Sequence, residues 1–229
     1  MLTIELMSRR FVPLISGQTY HLFNRSVAKQ PIFTSSKEFQ RFLDVVDFYR
    51  FKKPAIRFSY YNRLQIDERL RFIKSLYNGE NLIEIYSFSL MPNHFHILAK
   101  QLHDEGIKLF MSQIQNSYAK YFNVKKKRSG ALFQEMFKAV RIESDEQFVH
   151  VARYIHLNPL TSYVLREPSE LENYPWTSFI DYMGKRTLPF LNRSMLMSHY
   201  PTTKKLKKFT MDQVDHQRKL KEIKHLMLE

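Results

Sequence analysis

Two histidines separated by one phenylalanine, in Met91-Pro92-Asn93-His94-Phe95-His96-Ile97-Leu98, are the residues best spaced for chemistry. The run is rich in strand formers. On a strand, residues i and i+2 point to one face, so His94 and His96 stand side by side while Phe95 packs behind them. Two imidazoles so placed offer two neutral ring nitrogens, which is half of a metal site. The Pro92-Asn93 pair ahead of them is a turn signal, so the histidines open a strand entered from a tight hairpin. The ordinary alternative for a bare His-X-His is a pair of polar side chains on a solvated sheet face.

A second set lies in the segment Asp145 to Asn158. Ser144 reads as its N-cap, and Asp145 and Glu146 suit the positive end of a helix. Pro159 disfavours helical geometry at the residue before it, which predicts that the helix ends at Asn158. Tyr154 and Asn158 are one turn apart and share a helical face. His156 lies about 200° around from Tyr154 and faces elsewhere. Tyr118 and Tyr121 sit on another predicted helix near the sheet, and residue types and spacing leave these tyrosines level with Tyr154 as candidate nucleophiles. Tyr118 falls on an apolar face and reads as core, whereas Tyr121 reads as exposed. His21, on the first predicted strand, reads as sheet core, with a supporting role beside the histidine pair as the alternative.

The elements that must position these groups follow from hydrophobic periodicity. Residues 19–25 read as a strand. Phe39, Phe42, Leu43, Val46 and Tyr49 lie at helical spacing between Ser36 and Phe51, with Ser35 or Ser36 as N-cap. Residues 52–80 read as an insertion carrying a basic helix from Ile66 to Tyr77. Asn81 to Leu90 nearly fills both faces with apolar residues, as in the middle of a sheet. His94 to Lys100 is the next strand, and a helix follows from about Glu105 to Asn123. Leu132 to Ile142 is strand-like. The order strand, helix, strand, strand, helix, strand predicts an α+β, ferredoxin-like (RRM-like) antiparallel sheet with helices on one face, to which the tyrosine-bearing helix is added on the C-terminal side. From Tyr174 to Tyr182 the pattern predicts a short docking helix that buries Trp176. The domain spans 18–182, with an N-terminal arm over 1–17. A basic tail covers 183–229, with a charge block at Lys204-Lys205-Leu206-Lys207-Lys208 and a helix predicted from Met211 to Leu228.

Composition narrows the function classes. The 229 residues include 36 Lys and Arg against 22 Asp and Glu, a formal charge of +14, which predicts an anionic partner and most often nucleic acid. The 19 Phe and 13 Tyr supply a core and also faces on which bases can stack. Only five glycines are present, and neither a P-loop nor a dinucleotide fingerprint occurs. The absence of cysteine excludes disulfides and thiolate metal sites and favours an intracellular protein. No stretch approaches the length of a membrane span. Arg9, Arg10, Lys125, Lys126, Lys127 and Arg128 are candidate phosphate contacts, a plain solvated charge run being the alternative.

Taken in order, Tyr20-His21-Leu22-Phe23-Asn24-Arg25, Leu90-Met91-Pro92-Asn93-His94-Phe95-His96, Ser129-Gly130-Ala131-Leu132-Phe133-Gln134, Arg153-Tyr154-Ile155-His156-Leu157-Asn158-Pro159 and Tyr174-Pro175-Trp176-Thr177-Ser178 resemble the single-tyrosine HUH transposases of insertion sequences. The closer resemblance is to the REP-associated tyrosine transposase branch. It covers about residues 18–182 and leaves out the arm, the 52–80 insertion and the tail. The resemblance implies an endonuclease and strand transferase acting on single-stranded, hairpin-containing DNA through a 5′-phosphotyrosine. It implies Tyr154 as the nucleophile and a divalent ion, Mg²⁺ or Mn²⁺, held by His94 and His96 with Asn158 as third ligand. It implies a cytoplasmic, nucleoid-associated protein, a monomer being favoured over a homodimer. Two other readings stand beside it: a non-catalytic binder using an RRM-like sheet, and a metallonuclease that uses water.

Overall fold

The structure is a computed structural model that describes residues 13–52 and 54–218. Arg9, Arg10 and the outer part of the helix expected over Met211 to Leu228 lie outside the described residues. In chain order the elements are β1 (Thr19–Arg25), α1 (Ser36–Tyr49), α2 (Phe58–Tyr61), α3 (Ile66–Tyr77), β2 (Ile83–Met91), β3 (His94–Gln101), α4 (Gly106–Lys125), β4 (Lys138–Ile142), α5 (Asp145–Thr161), α6 (Phe179–Tyr182), α7 (Ser194–Ser198) and α8 (Thr203–Met211). The strands form one antiparallel sheet in the order β2-β3-β1-β4, the ferredoxin-like arrangement that the element order predicts.

Strand periodicity sorts the two faces of this sheet. Phe95 turns toward α1 and α4, where its ring lies 4.9 Å from that of Phe42 on α1, and Phe42 in turn meets Tyr118 of α4 at 5.3 Å. Tyr20, Leu22, Phe42, Phe95, Phe110 and Tyr118 are fully buried in this layer. Burial of each such side chain contributes roughly 1.5–3 kcal/mol. The opposite face carries His94 and His96, and α5 packs there across β2 and β3.

Four local expectations are corrected. Strand β4 is Lys138–Ile142, shorter than Leu132 to Ile142. Residues 132–134 still follow the end of β1, through Val27 N to Leu132 O at 3.0 Å and Gln134 N to Arg25 O at 2.9 Å, but the ladder breaks over 135–137. Helix α5 runs through Pro159 to Thr161 instead of stopping at Asn158. Its last turn is held by Leu157 and Leu160, buried against Leu171, Phe179 and Val214, and by Ser162 N donating to Asn158 O at 3.0 Å. This packing outweighs the hydrogen bond that proline cannot donate. Trp176 is only half-buried, stacked on Phe39 at 4.7 Å, in a segment that lines the edge of β2 through Leu90 N to Trp176 O at 2.8 Å. The helix after it is just the single turn α6. Finally, the charge block at 204–208 is itself helical, as α8, with Leu206 buried and Lys204, Lys205 and Lys208 exposed. Beyond Arg186, Phe190, Leu191 and Leu196 enter the main core.

One ion cluster ties α1 to α4. Glu38, fully buried in the first turn of α1, accepts from Thr34 N and Thr34 Oγ1, both at 2.6 Å, and pairs with Lys125 at 2.9 Å and Lys126 at 3.4 Å. Burial by itself would raise this carboxyl, but the Thr34 and Lys125 hydrogen bonds and the Lys125 charge outweigh it and hold it down at about 2. A depressed carboxylate stabilises the fold above its unfolded value, and that contribution is lost as pH falls through the folded value. Urea titrations across pH should therefore show a stability loss between about pH 5 and 2 that Glu38→Gln flattens. At neutral pH the same substitution should cost about 2 kcal/mol, as expected for losing hydrogen bonds to a charged group.

Candidate active site

His94 and His96 open β3 directly after the two-residue Pro92-Asn93 turn. Asn93 Oδ1 lies 2.6 Å from His94 Nδ1. An oxygen acceptor there makes Nδ1 the protonated nitrogen and leaves the lone pair on Nε2. His96 Nδ1 lies 2.9 Å from His21 Nε2 on the neighbouring strand β1. Burial lowers the His21 imidazole to about 4, so it is neutral at physiological pH and can accept from His96. That tautomer puts the His96 lone pair on Nε2, and Nε2 faces the Asn158 amide at 3.3 Å. His21 is thus buried, as its place in the sheet suggested, and is also hydrogen-bonded to the histidine pair.

Helix α5 brings Tyr154 and Asn158 over this pair. Asn158 is 1% exposed and Tyr154 40% exposed, so the amide is enclosed while the phenol reaches solvent. The Tyr154 ring stands edge-on to His96 at 5.7 Å and to His21 at 5.9 Å. Burial pushes its phenol above the ordinary range, and a hydrogen bond with Asn158 and the Arg25 charge oppose that rise. Ser162 Oγ donates to Asn158 Oδ1 at 3.1 Å from one turn further along. His156 faces away, as the helical repeat predicts. It is fully buried, with Nε2 3.0 Å from Ser178 Oγ, and Ser178 Oγ also meets the Phe88 backbone on β2.

His94, His96, Tyr154 and Asn158 line one cavity of about 300 Å³, to which Arg25, Lys138 and Gln134 also contribute. Sequence reasoning assigned no role to Arg25 and Lys138. Arg25 is paired with His94 across the sheet, and Lys138 is paired with Phe23, itself the partner of His96. The signal for Arg25 is its strand parity with His21. Lys138 becomes visible only through the pairing of β4. Together they give the cavity two cations beside a phenol and two imidazoles, a set suited to gripping a phosphodiester.

The other candidates lie elsewhere. Tyr118 is fully buried on the α1/α4 side, its hydroxyl donating to Ile32 O at 2.5 Å, and burial raises its phenol strongly. Tyr121 is on the same helix, with the Arg41 guanidinium 5.0 Å over its ring. Lys125 and Lys126 are engaged by Glu38, Arg128 donates to Ala131 O at 3.0 Å, and Lys127 is exposed. None of these four basic residues lines the cavity. Among the described residues no three His, Asp or Glu side chains gather as a metal site, so a metal here would need the Asn158 amide beside the two imidazoles.

The fold and part of the sequence are similar to known proteins. No curated protein matches the chain. A solved REP-associated tyrosine transposase bound to a REP hairpin shares the fold, with a TM-score of 0.53 and 14% identity over 82% of this chain and 98% of that one. A protein from Deinococcus radiodurans R1, assigned as a transposase, aligns over 64% of this chain and 95% of its own at 12% identity, with a TM-score of 0.35. The family model of IS200-like transposases matches residues 54–158, a span that holds His94, His96, Tyr154 and Asn158 and also takes in most of the stretch that reads as an insertion. Over that span the chain is similar to the IS200-like transposases.

Proposed function

We propose that this protein is a transposase that cuts and rejoins single-stranded DNA through Tyr154, on hairpin-containing repeats like the REP hairpin bound by the transposase that shares its fold. The observation that carries this reading is the convergence of Tyr154, His96 and Asn158, with Arg25 and Lys138, in one cavity built from a single chain. Arg25 and Lys138 hold the scissile phosphate and neutralise its charge. The Tyr154 oxygen attacks phosphorus as its proton is lost, and the bond to the 3′-oxygen breaks. The 3′-oxygen takes up a proton, and the 5′-phosphate stays on the tyrosine. The ester keeps the energy of the broken bond, so a second 3′-hydroxyl can reverse the step and join a new strand. Arg25 and the Asn158 amide favour the phenolate that burial disfavours.

The donor set fits a divalent ion. His94 and His96 carry lone pairs on Nε2, and the Asn158 amide sits against His96 Nε2. A half-turn of that isosteric amide would present oxygen there and offer its NH₂ to Ser162. Two imidazoles and one neutral oxygen suit Mn²⁺ better than Mg²⁺, which prefers oxygen alone. When bound, the ion would draw charge from the phosphate oxygens and lower the barrier to attack. His21, by accepting from His96 Nδ1, holds that ligand in its working tautomer.

Two experiments test this. Labelled hairpin DNA with Mn²⁺ should give a denaturation-resistant protein–DNA adduct that Tyr154→Phe abolishes. An adduct surviving in that variant would move the nucleophile elsewhere, and cleavage with no adduct would indicate attack by water. For the metal, calorimetry should find Mn²⁺ bound to wild type and about 10- to 100-fold weaker in His21→Phe, the range for losing a ligand's supporting hydrogen bond. His21→Gln, whose side-chain oxygen can still accept, should recover most of it.

A further inference from the structure

On the helical side of the sheet, a groove of about 690 Å³ runs between α4 and the segment leading into α2. Arg41, Arg57 and Lys120 line it together with Tyr121 and Gln113. Arg57 and Lys120 are exposed and form no ion pair among the described residues. The Arg41 guanidinium is held 4.2 Å over the Phe58 ring and 5.0 Å over the Tyr121 ring. Its Nε and the Gln113 Oε1 are both buried without a hydrogen-bond partner. Next to the groove Tyr60 is 52% exposed between Arg57 and Arg63, with the Arg63 guanidinium 5.7 Å from its ring.

These features describe one kind of ligand. Cations outside any ion pair attract phosphate oxygens, and an exposed phenol ring flanked by arginines offers a stacking face. A nucleotide supplies both. The groove and the Tyr154 cavity share no lining residue, but a third groove borders both. Ser112 and Asn116 of α4 line both this groove and a larger one of about 830 Å³ on the other flank of the helix, and Gln134 lines both that one and the Tyr154 cavity.

We propose that the groove between α4 and residues 54–63 is a second DNA-contact site, holding the backbone and an unstacked base of the same strand whose scissile phosphate lies at Tyr154. The inference rests on the DNA-cleaving reading of the Tyr154 cavity. It also accounts for why a stretch that reads as an insertion is rich in arginine and tyrosine.

The test uses the full chain and fluorescein-labelled oligo-dT of roughly 30 nucleotides, long enough to span several single-strand sites. Arg57→Gln with Lys120→Gln should weaken binding about tenfold and flatten the log Kd against log salt slope by about 1.4, or 0.7 per lost phosphate contact. A Tyr60→Trp probe should lose fluorescence on titration with the oligonucleotide, through stacking, and keep it when the two cations are removed. An unchanged affinity and slope would overturn the proposal. So would a weakened affinity with an unquenched indole, which would mean general electrostatic steering. Adduct formation at Tyr154 is read separately at saturating DNA. An intact adduct without any groove effect removes the groove and leaves the transferase. Groove effects without any adduct do the reverse.

Discussion

The pairing register of β3 decides on which face of the sheet the imidazoles stand. This strand lies between β2 and β1 and is hydrogen-bonded on both sides, with His96 opposite Ser89 on one flank and Phe23 on the other. Phe95 and Ile97 are driven into the α1/α4 layer by their apolar area, and strand periodicity then sends His94 and His96 the other way. A slip of one residue would bury two imidazoles among phenylalanines and expose Phe95. The cost of that exchange pins the register, and the site inherits its precision from the core behind it.

The second requirement is that α5 lie at a fixed height over those imidazoles. Its anchor is buried and lies on the face of the helix away from the cavity: His156, which burial lowers to about 3 and keeps neutral, meets Ser178 Oγ, which is in turn bonded to the Phe88 backbone of β2. Asn158 closes the other side, against His96. A single helix therefore carries its chemical groups and its attachment on opposite faces two residues apart, a spacing that a strand could not provide. The turn through Pro159 extends the hold, because Leu157 and Leu160 enter the second apolar cluster.

Charge is distributed less evenly than its total suggests. The run of four basic residues at 125–128 is partly consumed by one buried acid, Glu38, and serves the α1–α4 interface. Cations beside the tyrosine come instead from single residues on β1 and β4, and those of the helical groove from α1, from the segment before α2 and from α4. A phosphate needs a cation at a position, and clustering in sequence says little about position.

Several elements were legible from the chain alone because their signals are local. Alternation located β1 and β3, a nearly continuous apolar run located β2, helical periodicity located α1, α3 and α4, and the Ser144 cap with its acidic first turn located the start of α5. The pairing of Tyr154 with Asn158 on one face followed from the helical repeat, and that of His94 with His96 from the strand repeat. Tertiary structure alone decided that these two pairs meet, since His96 and Asn158 are brought together only by α5 crossing the sheet. It decided equally that His21 bonds to His96 and that Arg25 and Lys138 enter the cavity. Where local signals failed, at Pro159 and at the lysine-rich α8, burial of Leu157, Leu160 and Leu206 against distant residues decided the outcome, whereas the strand expected over 132–142 breaks at the poorly buried residues 135–137. Such burial depends on which surfaces the fold presents to one another, and periodicity within a segment carries no information about that.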